Sequence, residues 1–179
     1  MKEKYPDVSA GEVFGALWRG IKPSQWWFVG TVLLFIAGNV FEVLIPLYYK
    51  KFFDVLTESG GPSTGAAEVL IGIVFFILLL NIGKWTCFRT GLIGNNIIEI
   101  GTMRRLREQS FEYLIRHSHS FFANNFVGSL VQRVSRFSRA SEHLLDTLFF
   151  NLIPLLVVTV GSLVVVFTIE PLLALVIAA

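Results

Sequence analysis

Between residues 66 and 118 the chain contains no proline, and over that length it changes from almost wholly apolar to densely charged. Residues 69–83 form an apolar run; Lys84 and Arg89 follow, and then Arg104, Arg105, Arg107, Glu108, Glu112 and Arg116. With no residue that forbids the helical hydrogen-bond ladder, the stretch is expected to form one helix of about 50 residues, roughly 75 Å long. The hydrocarbon core of a bilayer is only about 30 Å thick. Such a helix crosses the core and continues into water. Gly91, Gly94 and Gly101 are the positions at which it could bend.

The rest of the chain fits the same solvent. Hydrophobic residues make up 54% of the 179, including 17 Phe, more than the 45–50% usual for a soluble domain. Spans are expected over about 27–49, interrupted by Glu42 and Pro46, over about 66–100, and over about 144–169, interrupted only by Pro154. Residues 171–179 begin a fourth apolar helix too short to span, after a tight turn at Glu170-Pro171. The expected fold class is an all-α membrane bundle with three full spans and the start of a fourth, stopping inside an element. A cytoplasmic hairpin, about 101–143, carries long helix extensions. The polar loop after the first span contains Glu58-Ser-Gly-Gly-Pro-Ser-Thr-Gly65, a turn-forming tract that no Gly-Lys-Ser/Thr closes into a phosphate loop.

A net charge of +2 does not suggest nucleic acid as a partner. The single Cys87 cannot form an intrachain disulfide and is expected to be a small buried hydrophobe. Lys2 and Lys4 are mixed with Glu3, Asp7 and Glu12, and the first apolar run is longer than that of a signal peptide, so it is expected to be retained. Within residues 1–25, Ser9 and Glu12 have the spacing of a capping box, and Val13, Phe14, Leu17, Trp18 and Ile21 recur at helical spacing before Pro23. A short amphipathic helix is expected there, lying in the membrane interface, with Trp26 and Trp27 in the aromatic belt; the alternative is a soluble helix packed on another domain.

Orientation follows from the arginines. Arg104, Arg105, Arg107, Arg116, Arg133, Arg136 and Arg139 all lie between the second and third spans, whereas the Glu170 turn has no basic residue. The positive-inside rule places the hairpin, and with it the N-terminus, in the cytoplasm, and the expected location is the plasma (inner) membrane.

The hairpin is patterned for packing. Met103, Leu106, Ser110 and Leu114 share one face of its first arm, and (i, i+4) pairs Arg104/Glu108 and Glu112/Arg116 lie elsewhere. On the second arm Leu130, Val134, Phe137, Ser141, Leu144 and Leu148 form a coiled-coil-like seam. At the tip, Phe121 and Phe122 precede Asn124, Asn125 and Gly128. Either the two rings form a knob that fills a pocket on another protein, or they fold back and close the hairpin. His117 and His119, two residues apart on a helix, point away from each other and suggest no metal site.

Glu42, Lys84 and Arg89 are the candidates for a transport path, since ionisable groups within a membrane usually face a cavity or a partner. Counted from Trp27 and from Val69, Glu42 and Lys84 fall at depths more than about 10 Å apart, so a direct pair between them is not expected. Lys84 and Arg89 can snorkel to the inner interface, and Glu42 is the better candidate for a cavity lining.

The pattern Arg-Leu-Arg-x6-Leu-x6-Phe-Phe-x-x-Asn-x-x-Gly-x-Leu-x-x-Arg, from Arg105 to Arg133, resembles the first intracellular loop of ABC exporter transmembrane domains. Ile45-Pro-Leu-x5-Phe53-Asp54 is similar to the end of the first span in that family, and Ile21-Lys-Pro-x3-Trp27 to its elbow helix. The resemblance implies six long helices per half, working as a homo- or heterodimer. It also implies coupling helices that dock on a nucleotide-binding domain, fused or separate. Phe121, Phe122 and Asn125 would then lie at that contact, with Gly128 releasing the next helix and Arg133 at its start. One departure stands out: Phe137 occupies the region where family members commonly have an Asp a few residues after the Arg.

The chain has no Gly-x4-Gly-Lys-Ser/Thr, so no ATPase activity is expected of these residues; ATP and Mg are implied only for a nucleotide-binding domain elsewhere. Two functions compete. One is the transmembrane portion of an ATP-driven exporter; the other is a membrane scaffold or regulator that grips a cytoplasmic protein through its hairpin.

Overall fold

A computed structural model of the chain describes residues 9–58, 64–118, 121–122 and 126–169. Every element among them is helical. A capped helix α1 (Ala10–Ile21) leads through a 3-10 turn (Lys22–Ser24, with Pro23) into α2 (Gln25–Glu58). Then come α3 (Thr64–Ile115), α4 (Val127–Thr147), a widened π turn (Leu148–Leu152) and α5 (Ile153–Ile169). Three stretches, Gly11–Glu58, Gly65–Ile115 and Val127–Thr168, are long and apolar enough to cross a membrane. The turns at 59–63 and 170–171 and the residues of the expected fourth span lie outside the described residues.

The 52 residues of α3 run without a break. Two of the glycines marked as possible bends have other uses. A Cβ on Gly91 would lie 3.0 Å from the Phe35 ring, and one on Gly101 would lie 3.4 Å from the Arg105 guanidinium. Proline acts instead on the last helix. Pro154 has no N–H and its ring crowds the carbonyl four residues back, and the turn just before it, at Leu148–Leu152, is widened to π geometry. Pro46 sits inside α2 without ending it, but leaves the Glu42 carbonyl without its helical donor.

The chain divides into two compact units. One holds Gly30–Ile93 and the described residues from Leu148 on. Its core is Phe35, 1% exposed, whose ring meets Phe88 edge-on at 5.7 Å, stacks on Phe149 at 5.3 Å and meets Phe150 edge-on at 5.4 Å. Around it, rings of one helix fill the missing side chains of the next: Phe88 against Gly38, Phe41 against Gly83 and Phe35 against Gly91, while Val43 fills the space over Gly161. Membrane helices lack a hydrophobic drive to associate, so close approach of this kind supplies much of their attraction. Polar side chains here satisfy themselves locally: Asn39 donates to the Phe35 carbonyl at 2.7 Å, Asn81 to Ile77 at 2.8 Å and Thr86 to Ile82 at 2.8 Å. Cys87 is half-buried rather than fully buried.

The other unit holds the described residues up to Val29 together with Gly94–Thr147. The capping box of α1 is formed, with Glu12 N–H donating to Ser9 Oγ and Ser9 N–H to the Glu12 carboxylate, each at 3.3 Å. Leu17 and Ile21 are buried, and Gly20 brings the helix close to Thr102 and Leu106 of α3. Arg104–Glu108 at 2.8 Å and Arg116–Glu112 at 2.5 Å form as expected, and, being exposed, contribute only a few tenths of a kcal/mol each.

The seam of α4 differs from the expected one at its second half. Leu130, Ser138, Ser141 and Leu145 are buried, whereas Leu144 is 44% exposed. A straight helix turns every 3.6 residues, not 3.5, so the buried line drifts one residue from a heptad seam. Arg107 draws it the same way by donating from Nε to Ser138 Oγ at 2.9 Å.

Candidate functional site

Two places hold the residues singled out from the sequence, one in each unit. The first is in the apolar helices, where the Lys84 ammonium pairs directly with the Glu42 carboxylate. This corrects the expected separation in depth. That separation measured the two helices from opposite membrane faces, with assumed starting points. Measured from the shared loop end, Glu42 lies 16 residues before Glu58 and Lys84 20 residues after Thr64, about 24 and 30 Å along the helices. The four-carbon lysine stem covers the difference. The Phe41–Gly83 contact, one residue earlier on each helix, brings the backbones near enough for the pair to close. The carbonyl freed by Pro46 belongs to the same residue, Glu42, so an ion pair and an open backbone acceptor fall on one turn of α2. Arg89 is exposed and takes no part in it.

The second place is the hairpin tip. Phe121 and Phe122 are both half-buried, their rings edge-on at 5.5 Å. Phe121 lies back against His117 at 4.4 Å, and His117 against Tyr113 at 4.8 Å, with the His117 ring held to the Tyr113 carbonyl at 3.0 Å. Phe122 lines a groove of about 540 Å³ with Phe111, Leu114, Val127, Leu130 and Val134. Phe122 thus lies between the two arms while Phe121 packs back along the first, and each keeps part of its surface exposed. Asn125, with Asn124 and His119, lies outside the described residues. Gly128 follows the first residue of α4, where the Phe126 carbonyl accepts from Ser129 N–H at 2.9 Å. A Cβ on Gly128 would lie 2.7 Å from the Phe126 ring, which is 82% exposed. Arg133 is exposed on α4 and Phe137, in place of the usual Asp, is half-buried beside it.

Three sets of contacts were not foreseen from sequence. Arg105 donates to the Gly20 carbonyl at 2.7 Å and to Ser24 Oγ at 2.9 Å, pinning the end of α1 to α3. Arg107 ties α3 to α4 through Ser138. Asn95, nearly fully buried, points its amide nitrogen at both the Glu99 carboxylate, 3.0 Å away, and the Asp146 carboxylate, 3.5 Å away. The i, i+4 spacing of Asn95 and Glu99 was a visible signal; partners 85 and 51 residues apart leave none. Among the described residues no group of His, Cys, Asp and Glu is arranged to hold a metal ion.

One unit thus offers apolar helices carrying an ion pair, and the other a charged hairpin with aromatic rings near its tip. A family model for the ABC transporter transmembrane region matches residues 27–179. The chain belongs to the ABC transporter transmembrane family. As a member of that family it is a multi-pass membrane protein. It is 27% identical over 142 residues, 78% of its length, to an ATM1-type heavy metal exporter of Novosphingobium aromaticivorans. It is 20% identical over 143 residues to the mitochondrial iron-sulfur clusters transporter ATM1 of Debaryomyces hansenii, and 26% identical over 139 residues to antigen peptide transporter 2 of Mus musculus. The aligned parts cover 22%, 20% and 18% of these ABC proteins, so the chain spans about a fifth of the relatives it matches.

Proposed function

We propose that this chain forms part of the translocation path of an ATP-driven ABC exporter and carries the first loop through which a nucleotide-binding domain acts on it. The observation that supports this most is α3, one unbroken helix bearing Lys84 of the ion pair near its middle and the Tyr113–His117–Phe121 aromatic string at its far end. A helix without a break resists bending, so a displacement at its tip is carried along its length. The half-buried Phe121 and Phe122 offer a nucleotide-binding domain the outer part of an aromatic anchor whose inner part is fixed to the hairpin. Asn125, Gly128 and Arg133 complete that contact by the family pattern.

Nucleotide is not held here. The residues of this chain do not fit it, for no Gly-x4-Gly-Lys-Ser/Thr occurs. ATP and Mg belong to the partner domain, and the complete transporter is an ATPase-coupled translocase working as a homo- or heterodimer. The hairpin and the N-terminus face the cytoplasm, in the plasma (inner) membrane. Within the membrane, the Glu42–Lys84 spot, with Arg89 on the same helix, supplies the polar groups of a path that is otherwise apolar.

The test is the double variant Phe121→Ala, Phe122→Ala in the complete protein. Membrane insertion is expected to be unchanged, while transport falls at least tenfold relative to ATP hydrolysis. Transport coupled to hydrolysis as in the unaltered protein would remove the two rings from the coupling contact, and no transport by the unaltered complete protein would favour the scaffold alternative.

A further inference from the structure

The apolar stripe of α1 is wider than its contact with α3. Leu17 and Ile21 are buried, and Arg105 fixes the end of the helix through the Gly20 carbonyl and Ser24 Oγ. About 60° further round the helix, at 100° per residue, lie Phe14 and Trp18, 67% and 53% exposed. Lys22 and Arg19 come next on the same turn of surface, both exposed, and Trp26 and Trp27 follow in the chain, also exposed. Glu12, the one acidic residue of α1, is held at the other end of the helix by the Ser9 N–H. The uncovered edge is therefore aromatic, its border cationic, and its anchor to α3 a guanidinium that leaves Arg19 and Lys22 unused.

The sequence already places α1 at the headgroup layer; we propose that this edge of it selects anionic phospholipid there, with Arg19 and Lys22 meeting the phosphates beside Phe14 and Trp18. An uncharged headgroup layer satisfies the rings but not the two cations. A protein partner with an acidic face is disfavoured by continuity. Only the three-residue turn Lys22–Ser24 separates α1 from α2, whose first residues include the two exposed tryptophans suited to a lipid interface. The inference rests on membrane placement alone and not on export.

The complete protein with Trp26, Trp27 and Trp85 replaced by Phe keeps Trp18 as its one tryptophan within this sequence. In nanodiscs, quenching of Trp18 is compared for brominated phosphatidylglycerol and brominated phosphatidylcholine at equal fractions. Each surface cation supports roughly a fivefold preference for anionic lipid. The expected result is therefore at least a fivefold bias toward phosphatidylglycerol, falling to near unity in R19Q/K22Q. Should the triple variant not fold, the same difference is read between the unaltered protein and W18F. No quenching by either lipid, equal quenching by both, or an unchanged bias in R19Q/K22Q overturns the proposal. Nucleotide and cargo are absent from the assay, so failure of the exporter function leaves its outcome untouched.

Discussion

The Glu42–Lys84 pair is worth more to the protein as a pair than either residue is alone. A carboxylate left among apolar helices without its ammonium keeps the cost of its desolvation and loses the attraction that offset it. Lys84→Met alone is therefore expected to destabilise the protein by about 2 kcal/mol, below the range for fully buried pairs because both side chains are partly exposed. Glu42→Gln with Lys84→Met should recover most of that loss. Thermal unfolding of the two variants in nanodiscs checks it, and equal losses would mean the pair carries no coupling. Both residues were legible in the sequence as charges inside apolar runs. Their partnership was not, because depth in a bilayer depends on where each helix starts, and side-chain reach of several ångströms is invisible in a residue count. Arg105 shows the same limit: its arginine was seen as part of a charge bias, not as the clamp on Gly20 and Ser24.

Among the elements, glycine decides how closely helices approach. The rings over Gly91 and Gly128 are both near, but only one can move. Phe35 is locked on three sides by Phe88, Phe149 and Phe150, whereas Phe126 projects into solvent. Gly91→Ala is expected to cost about 1–3 kcal/mol, the usual penalty for overpacking a closed core. Gly128→Ala should cost less than about 1 kcal/mol, since its neighbour swings aside. Melting temperatures of the two variants decide it; a larger loss at Gly128 would mean the Phe126 ring is fixed. The length and continuity of α3, the capping box of α1 and the surface ion pairs were all legible, because each depends on residues close in sequence. The seam of α4 was legible at Leu130, Val134 and Ser141 and failed at Leu144. There the drift of a straight helix and the pull of Arg107 on Ser138 act together.

For the whole molecule, the family and the three membrane-competent helices agree with what apolar runs and the hairpin pattern imply. Orientation is a separate matter with its own measurement. In a Cys87→Ser background, Gln132→Cys is expected to react with a membrane-impermeant maleimide only in inside-out vesicles. Glu58→Cys should react only in right-side-out ones. The reverse pattern would invert the topology. Whichever face is inward, residues 30–93 constrain how the protein can rearrange. A slip of α2 along α3 by one helical turn, about 5.4 Å, toward the start of α3 would lift the Phe35 ring off Gly91 and drive it onto Cys87. The Phe88 and Phe41 rings would leave their recesses at Gly38 and Gly83 at the same moment. The two helices are keyed like a shaft in its hub: they can tilt or travel together, but neither can be drawn past the other.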